Sequence, residues 1–338
     1  MNSLFPLLLL SLVYAIFLSN ALPVVRLGFY GNSASAAVTV TVGSSPADNF
    51  TSIQKAIDSV PVGNNQWVLI QVKPGVYKEK ISVGVDKPYI YLQGVSWDTT
   101  EIQWGDHGTV KDTATFTVMA DNFMASGISF RNTYNGPIVQ APAMMVYGDK
   151  VSFYKCAFIG IQDTLGDMQG RHFYHTCNIE GAVDFIWGFG QSQFHSCSIR
   201  SRGALLGGPG YITAQVRQSP QDDGGFVFKY CNILGNGKTY LGRAYSIYAR
   251  VLFYECSLGG NVVPQGWDPW KSKGEENDTT FCDSTCSGPG SDTSHRVAWM
   301  KKLEGPELLH LVSLRLFMDK EGWVEAQPVP PGWMGSRD

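Results

Sequence analysis

Phe153-Tyr-Lys-Cys156-Ala-Phe158 and Tyr174-His-Thr-Cys177-Asn-Ile179 are two copies of one pattern, 21 residues apart. Each leads, seven residues beyond its cysteine, to an aspartate: Gln162-Asp163-Thr164-Leu165 in the first copy and Val183-Asp184-Phe185-Ile186-Trp187-Gly188 in the second. The cysteines recur at 156, 177, 197, 231 and 256, each with an aromatic three residues before it (Phe153, Tyr174, Phe194, Phe228, Phe253). A period of 20 to 25 residues, filled with short strands and no intervening helix, predicts an all-β chain wound as a single-stranded right-handed parallel β-helix, one repeat per coil. The 34-residue step from Cys197 to Cys231 predicts a longer loop over Gly207–Gly225. On this reading Gln140, Gln162 with Asp163, and Asp184 belong to three successive coils and share one face.

Outward from this core the pattern continues. Val38-Thr-Val-Thr-Val42 alternates as a half-buried strand, and Ile53, Ala56, Ile57 and Val60 space the apolar face of a helix. Asp48 or Asn49 is the expected N-cap and Pro61 the stop. Such a helix would cover the open end of the strand array. Further strands are expected over Trp67–Val72, Lys80–Val83, Tyr89–Gly94, Ala114–Val118, Ile128–Asn132 and Ala143–Tyr147. Beyond Gly259 the repeat fades into a C-terminal wrap with a Lys-rich helix near Val297–Leu303. The expected organisation is a signal peptide over 1–21, a short lead over 22–37, the β-helix domain over 38–327 and a Pro-rich tail over 328–338.

The 338 residues are 44% apolar and 16% charged, enough for a large core. A net charge of −3 with scattered Lys and Arg argues against nucleic acid or an anionic membrane as partner. Leu4 to Leu18 is an apolar run broken only by Ser11 and ends in Ser19-Asn20-Ala21, the form of a secretory signal with a small-residue cleavage site, set against an uncleaved anchor. Asn49-Phe50-Thr51 and Asn277-Asp278-Thr279 are glycosylation sequons that agree with secretion. Seven cysteines are an odd count, and the five in register read as a buried ladder of thiols, because stacked side chains with parallel Cβ vectors suit a disulfide poorly. Cys282 and Cys286 fall outside that ladder and either pair or leave a thiol free. No Cys or His cluster suggests a metal.

Carboxylates on neighbouring coils would sit about 5 Å apart. Two such charges cannot both ionise freely, so one pKa rises and the pair can supply an acid and a nucleophile at one pH. Arg243 in Tyr240-Leu-Gly-Arg-Ala-Tyr245 would hold Asp184 ionised. Gln140 and Gln162 are neutral donors suited to a developing oxyanion. The spacing equally fits a polar ladder in which Asp163 caps a turn and Arg243 makes an ordinary ion pair.

The residue strings weigh on this choice. Gly75-Val-Tyr77-Lys-Glu79, Gln140-Ala-Pro-Ala143, Gln162 to Leu165, Asp184 to Gly188 and Leu241 to Tyr245, with Gly170-Arg-His172 and Pro264-Gln-Gly-Trp267, resemble the plant pectinesterases in order and spacing over about Val38 to Gln327. The resemblance implies a secreted cell-wall enzyme, without cofactor or metal, that removes methyl esters from galacturonate units of pectin. It implies Asp184 as nucleophile, Asp163 as acid/base, Gln140 and Gln162 as oxyanion donors, Arg243 as the residue steadying the nucleophile and touching substrate, and Tyr245 and Trp267 as substrate-lining aromatics. Methyl-esterified homogalacturonan is the implied partner, together with a proteinaceous pectinesterase inhibitor; a monomer is expected.

The chain departs from the family pattern at Gly166, where Tyr is common, at Pro142, Met144 and Met145, at Trp187 for Phe, and at Tyr245 for Trp, which bears on subsites rather than chemistry. The N-terminal inhibitor-like region of many relatives is not expected. The competing readings are a depolymerising pectin hydrolase or a pectate lyase on the same fold, and a pectin-binding protein without activity.

Overall fold

The computed structural model describes Ala36 and residues 38–329; the expected signal peptide, almost all of the lead segment and residues 330–338 of the tail lie outside the described residues. Within them the chain winds as a right-handed parallel β-helix of three parallel sheets. The first sheet stacks ten strands from Val38–Val42 to Thr280–Ser284, the second eight from Ile81–Val83 to Trp267–Asp268, and the third eight from Gly75–Tyr77 to Ser257–Leu258. One coil shows the plan: Val151–Tyr154 in the first sheet, Ala157–Ile159 in the third and Leu165–Asp167 in the second, before Arg171–His175 opens the next. The expected strands are found to within about two residues. Gly75–Tyr77, Thr100–Trp104 and Phe123–Ser126 are added to them. The long step between Cys197 and Cys231 is not one loop: the strand Gly210–Gln215 lies inside the segment expected to be loop.

A single residue makes the corner between the first and third sheets. Lys155, Thr176, Ser196, Tyr230, Glu255 and Thr285 all have φ between 49° and 57°. Each immediately precedes a cysteine, so the left-handed turn throws that small side chain inward. Non-glycine residues enter this region at a cost of about 1 to 3 kcal/mol each, so the corner persists because stacked neighbours impose it. Strand pairing sets Phe253 beside Asp283 and Ser257 beside Ser287, which makes Cys286 the sixth rung of the ladder. Its assignment outside the pattern is thereby corrected: the aromatic three residues before it has given way to Asp283. Cys282 lies beside Leu252 on the outer face of the first sheet, and all seven thiols are free.

The aromatics form a second column beside the thiols. Phe153, Tyr174, Phe194, Phe228 and Phe253 stack at successive centroid distances of 5.2, 4.5, 4.5 and 4.4 Å, with interplanar angles of 10° or less. Such contacts add about 0.5 to 1.5 kcal/mol each beyond burial. Next to this column, a polar cluster is enclosed in the core. Asp167 accepts from Tyr174 Oη at 2.8 Å and Ser192 Oγ at 2.7 Å, and lies 3.0 Å from His172 Nδ1. The other ring nitrogen, Nε2, faces the Gly148 carbonyl at 2.9 Å, so both imidazole nitrogens meet acceptors. Burial opposes a charged His172, but Asp167 outweighs it and raises the pKa. This cluster ties three coils together at the end of the strand that follows Asp163, Leu165–Asp167.

A helix closes the first coil, and three more cover the outer face of the first sheet. Helix α1 (Ile53–Asp58) buries Ile53, Ala56 and Ile57 in the first coil. Its cap is Ser52, whose Oγ accepts from Lys55 N, rather than Asp48 or Asn49; Asn49 is drawn off to accept from Thr41 N at 2.8 Å. Glu79, from the Gly75-x-Tyr-x-Glu string, accepts from Ser52 Oγ at 2.7 Å and from Ile53 N at 2.9 Å, so that string secures the helix start. At the other end no helix forms over Val297–Leu303. The chain enters helix only at α2 (Gly305–Val312), with Pro306 in the first turn where its missing N–H costs nothing, followed by α3 (Leu314–Phe317) and α4 (Trp323–Ala326). These pack Leu311, Val312, Phe317, Trp323 and Val324 against Tyr154, Phe173, Val227 and Leu252 on the outer face of the first sheet.

Burial pushes the Cys156 thiol up to about 12. Cys156, Cys177, Cys197, Cys231 and Cys256 are all shut off from solvent, at 1% exposure or less, and should resist a thiol reagent in the native protein and react once it unfolds. Mass spectrometry of unreduced peptides that finds a native disulfide between any two of them would contradict this arrangement.

Candidate active site

The turn from third to second sheet carries the polar groups. Gln140 pairs with Gln162, and Gln162 with Val183, in parallel register, so Asp163 and Asp184 occupy equivalent places on adjacent coils, about 4.8 Å apart along the stack. Both are left-handed, Asp163 at φ 60° and Asp184 at φ 48°, a conformation that aspartate tolerates better than most residues. Asp163 N donates to Val183 O at 3.0 Å and Leu165 N to Phe185 O at 2.9 Å, which fixes the register on both sides of the pair. Both carboxylates are buried, at 8% and 6% exposure. The amides of Gln140 and Gln162 are half-buried beside them and meet no side-chain partner among the described residues.

Arg243 reaches Asp184 with two parallel bonds, Nε to Oδ1 at 2.7 Å and Nη2 to Oδ2 at 2.5 Å. The guanidinium is itself held between two rings: its Cζ lies 4.2 Å from the centroid of Tyr211 and 3.9 Å from that of Trp270. Asp268 secures both rings, accepting from Trp270 N at 2.8 Å and from Tyr211 Oη at 3.3 Å. Tyr211 and Trp270 are site residues that sequence reasoning missed. Their signal was the register: Asp268 pairs with Arg243, which places the segment just beyond Asp268 over the guanidinium.

That register also overturns one expectation. Trp267 pairs with Gly242 and points inward; it is 1% exposed, stacks on Phe281 at 4.6 Å and donates Nε1 to Asp283 Oδ1 at 3.3 Å. It is a core residue with no ring face left for a sugar. Tyr245 is 37% exposed, set edge-on to Trp270 at 5.2 Å, and one of its faces is covered by Lys271 Nζ at 3.6 Å. Gly166 lies between Met145 and Trp187 in one row of the second sheet. A Cβ at 166 would fall 2.2 Å from Met145 Sδ. Met145 thus occupies the space that a larger residue at 166 would need, so these two departures from the family pattern compensate each other. Trp187 donates Nε1 to the Asp163 carbonyl at 3.2 Å and steadies its turn.

Burial and the neighbouring Asp184 charge push the Asp163 pKa up to about 8. Burial raises Asp184 too, but the hydrogen bonds and charge of Arg243 pull it back, so Asp184 gives up its proton first. The pair therefore favours the proton on Asp163 and the charge on Asp184, which the two-point contact of Arg243 orients. Among the described residues no group of His, Cys, Asp or Glu is placed to hold a metal ion.

A sequence profile of the pectinesterases matches residues 39–307. The chain belongs to the pectinesterase family. It is 45% identical over 302 residues to probable pectinesterase 29 of Arabidopsis thaliana, covering 86% of this chain and 90% of that protein. It is 46% identical to probable pectinesterase 55 of the same plant, covering 86% and 91%. Among solved structures it superposes on the pectin methylesterase from carrot with a TM-score of 0.83 at 26% identity, over 88% of this chain and 98% of that one.

With Asp163 as acid and Asp184 as base form, kcat/KM should be bell-shaped in pH, falling on the alkaline side near about pH 8 as Asp163 loses its proton. Arg243→Lys gives up the two-point contact, so the Asp184 pKa should climb and the acid limb move to higher pH. An unmoved acid limb in that variant, or wild-type activity level through pH 9 or so, would contradict the assignment.

Proposed function

We propose that this pectinesterase-family chain is a secreted cell-wall enzyme that hydrolyses methyl esters of galacturonate units in pectin, with Asp184 as nucleophile and Asp163 as acid/base. The observation that carries the reading is the buried pair of stacked aspartates, one clamped by Arg243 and the other kept protonated. Asp184 attacks the ester carbonyl carbon, and the negative charge that moves onto the carbonyl oxygen takes N–H donation from Gln140 and Gln162. Asp163 passes its proton to the methoxy oxygen as the C–O bond breaks and methanol departs. The resulting acyl-enzyme is opened by water, which gives a proton to the Asp163 carboxylate and regenerates both groups. Arg243 holds one Asp184 rotamer throughout, the two rings against its faces limiting its own motion. Tyr245 contributes the face that Lys271 leaves open to a bound sugar.

The apolar run Leu4–Leu18 supports export, and the sequon residues Asn49 and Asn277 are both exposed, as attached glycans require. The test is Asp184→Asn, which keeps the shape and removes the charge. Methanol release from methylated pectin should drop about 10³-fold or more with the melting temperature retained. A variant that keeps more than about a tenth of wild-type release would leave Asp184 without the nucleophile's role.

A further inference from the structure

Lys271 stands out in the site because no step of the mechanism uses its N–H donors. Its backbone N–H donates to Ala244 O at 3.2 Å, which fixes it beside the Arg243–Tyr245 strand end. Its ammonium rests 3.6 Å from the Tyr245 ring centroid and 4.9 Å from that of Trp270, the same indole that covers Arg243. The side chain is exposed and has no carboxylate partner among the described residues. The charged groups around it are Arg243, whose charge is spent on Asp184, Asp184 itself, and Asp268, whose oxygens are engaged by Trp270 N and Tyr211 Oη. Lys271 is thus a cation resting on aromatic faces with no ion-pair partner among the described residues, its charge reaching Asp184 only at a distance.

We propose that Lys271 determines specificity by binding a free carboxylate of the polymer on the sugar that lies over Tyr245, next to the unit being de-esterified. This rests on the pectinesterase reading of the site. A galacturonate unit differs from its methyl ester by one negative charge, and an ammonium with open valences distinguishes the two, whereas an aromatic face alone does not. The π-faces of Tyr245 and Trp270 orient the ammonium while leaving its N–H groups available, so binding the carboxylate requires little reordering. The enzyme then favours chains that already carry free acid, and its own product creates the next preferred site.

The experiment measures calorimetric affinity for unesterified oligogalacturonic acid in wild type, Lys271→Met and Lys271→Arg, with methanol release followed in parallel. Lys271→Met should weaken binding about tenfold, in line with a lost charge-assisted hydrogen bond, and should flatten the dependence of affinity on salt. Lys271→Arg should retain both. Unchanged affinity in Lys271→Met overturns the proposal whether or not methanol is released. Lys271-dependent binding with no methanol release by the wild type upholds it and counts against the esterase reading instead.

Discussion

In-register stacking of parallel coils is the constraint on which everything else depends. A rung of about 4.8 Å is set by backbone hydrogen bonds and cannot be adjusted by side chains. Once it is imposed, equivalent residues of successive coils must lie above one another. The aromatic column, the thiol column and the column of left-handed corners are three readings of that one repeat. The stack of flat rings tolerates no slip, because a shift of one residue would turn the whole column outward. The polar cluster of Asp167, His172, Tyr174 and Ser192 works in the same direction, since its bonds are satisfied in one register alone.

The active site uses this rigidity against electrostatics. Two carboxylates about 4.8 Å apart repel by about 3 kcal/mol at an effective dielectric of about 20, and in a flexible loop they would simply separate. Here each sits on a corner clamped from both sides by backbone bonds, so the repulsion is expressed as a proton retained on Asp163. Arg243 decides which member keeps it. The guanidinium could lie between the two carboxylates and stabilise both. Held by Tyr211 and Trp270, it instead meets Asp184 side-on with both nitrogens. The asymmetry needed for acid and nucleophile therefore originates in aromatic residues one and three coils beyond Asp184.

How much of this was legible in the sequence follows from the same physics. Period and register were visible because the columns repeat residue types, which placed Gln140, Gln162, Asp163 and Asp184 on one face, while Arg243 was read from its own Leu-Gly-Arg string. Features set by alternation within a short strand were less visible. Trp267 and Trp270 stand three apart, and only the pairing of Trp267 with Gly242 shows that the first is core and the second faces the site. Cys286 escaped the ladder because Asp283 replaces the aromatic that marks the other rungs. The cap of α1 went to Ser52 because Glu79, 27 residues on, needed that hydroxyl, a tertiary contact that no local propensity encodes. Helix α2 begins beyond the Lys-rich segment because its apolar face must meet the outer side of the first sheet.

The central claim is that one aspartate of the pair is protonated and the other ionised in the resting protein. Infrared difference titration measures this directly through the C=O stretch of a protonated carboxyl. The account expects such a band at pH 7, titrating away near about 8, present in the wild type and missing in Asp163→Asn. A wild-type spectrum without it at neutral pH, or a band that persists unchanged in Asp163→Asn, would contradict the account.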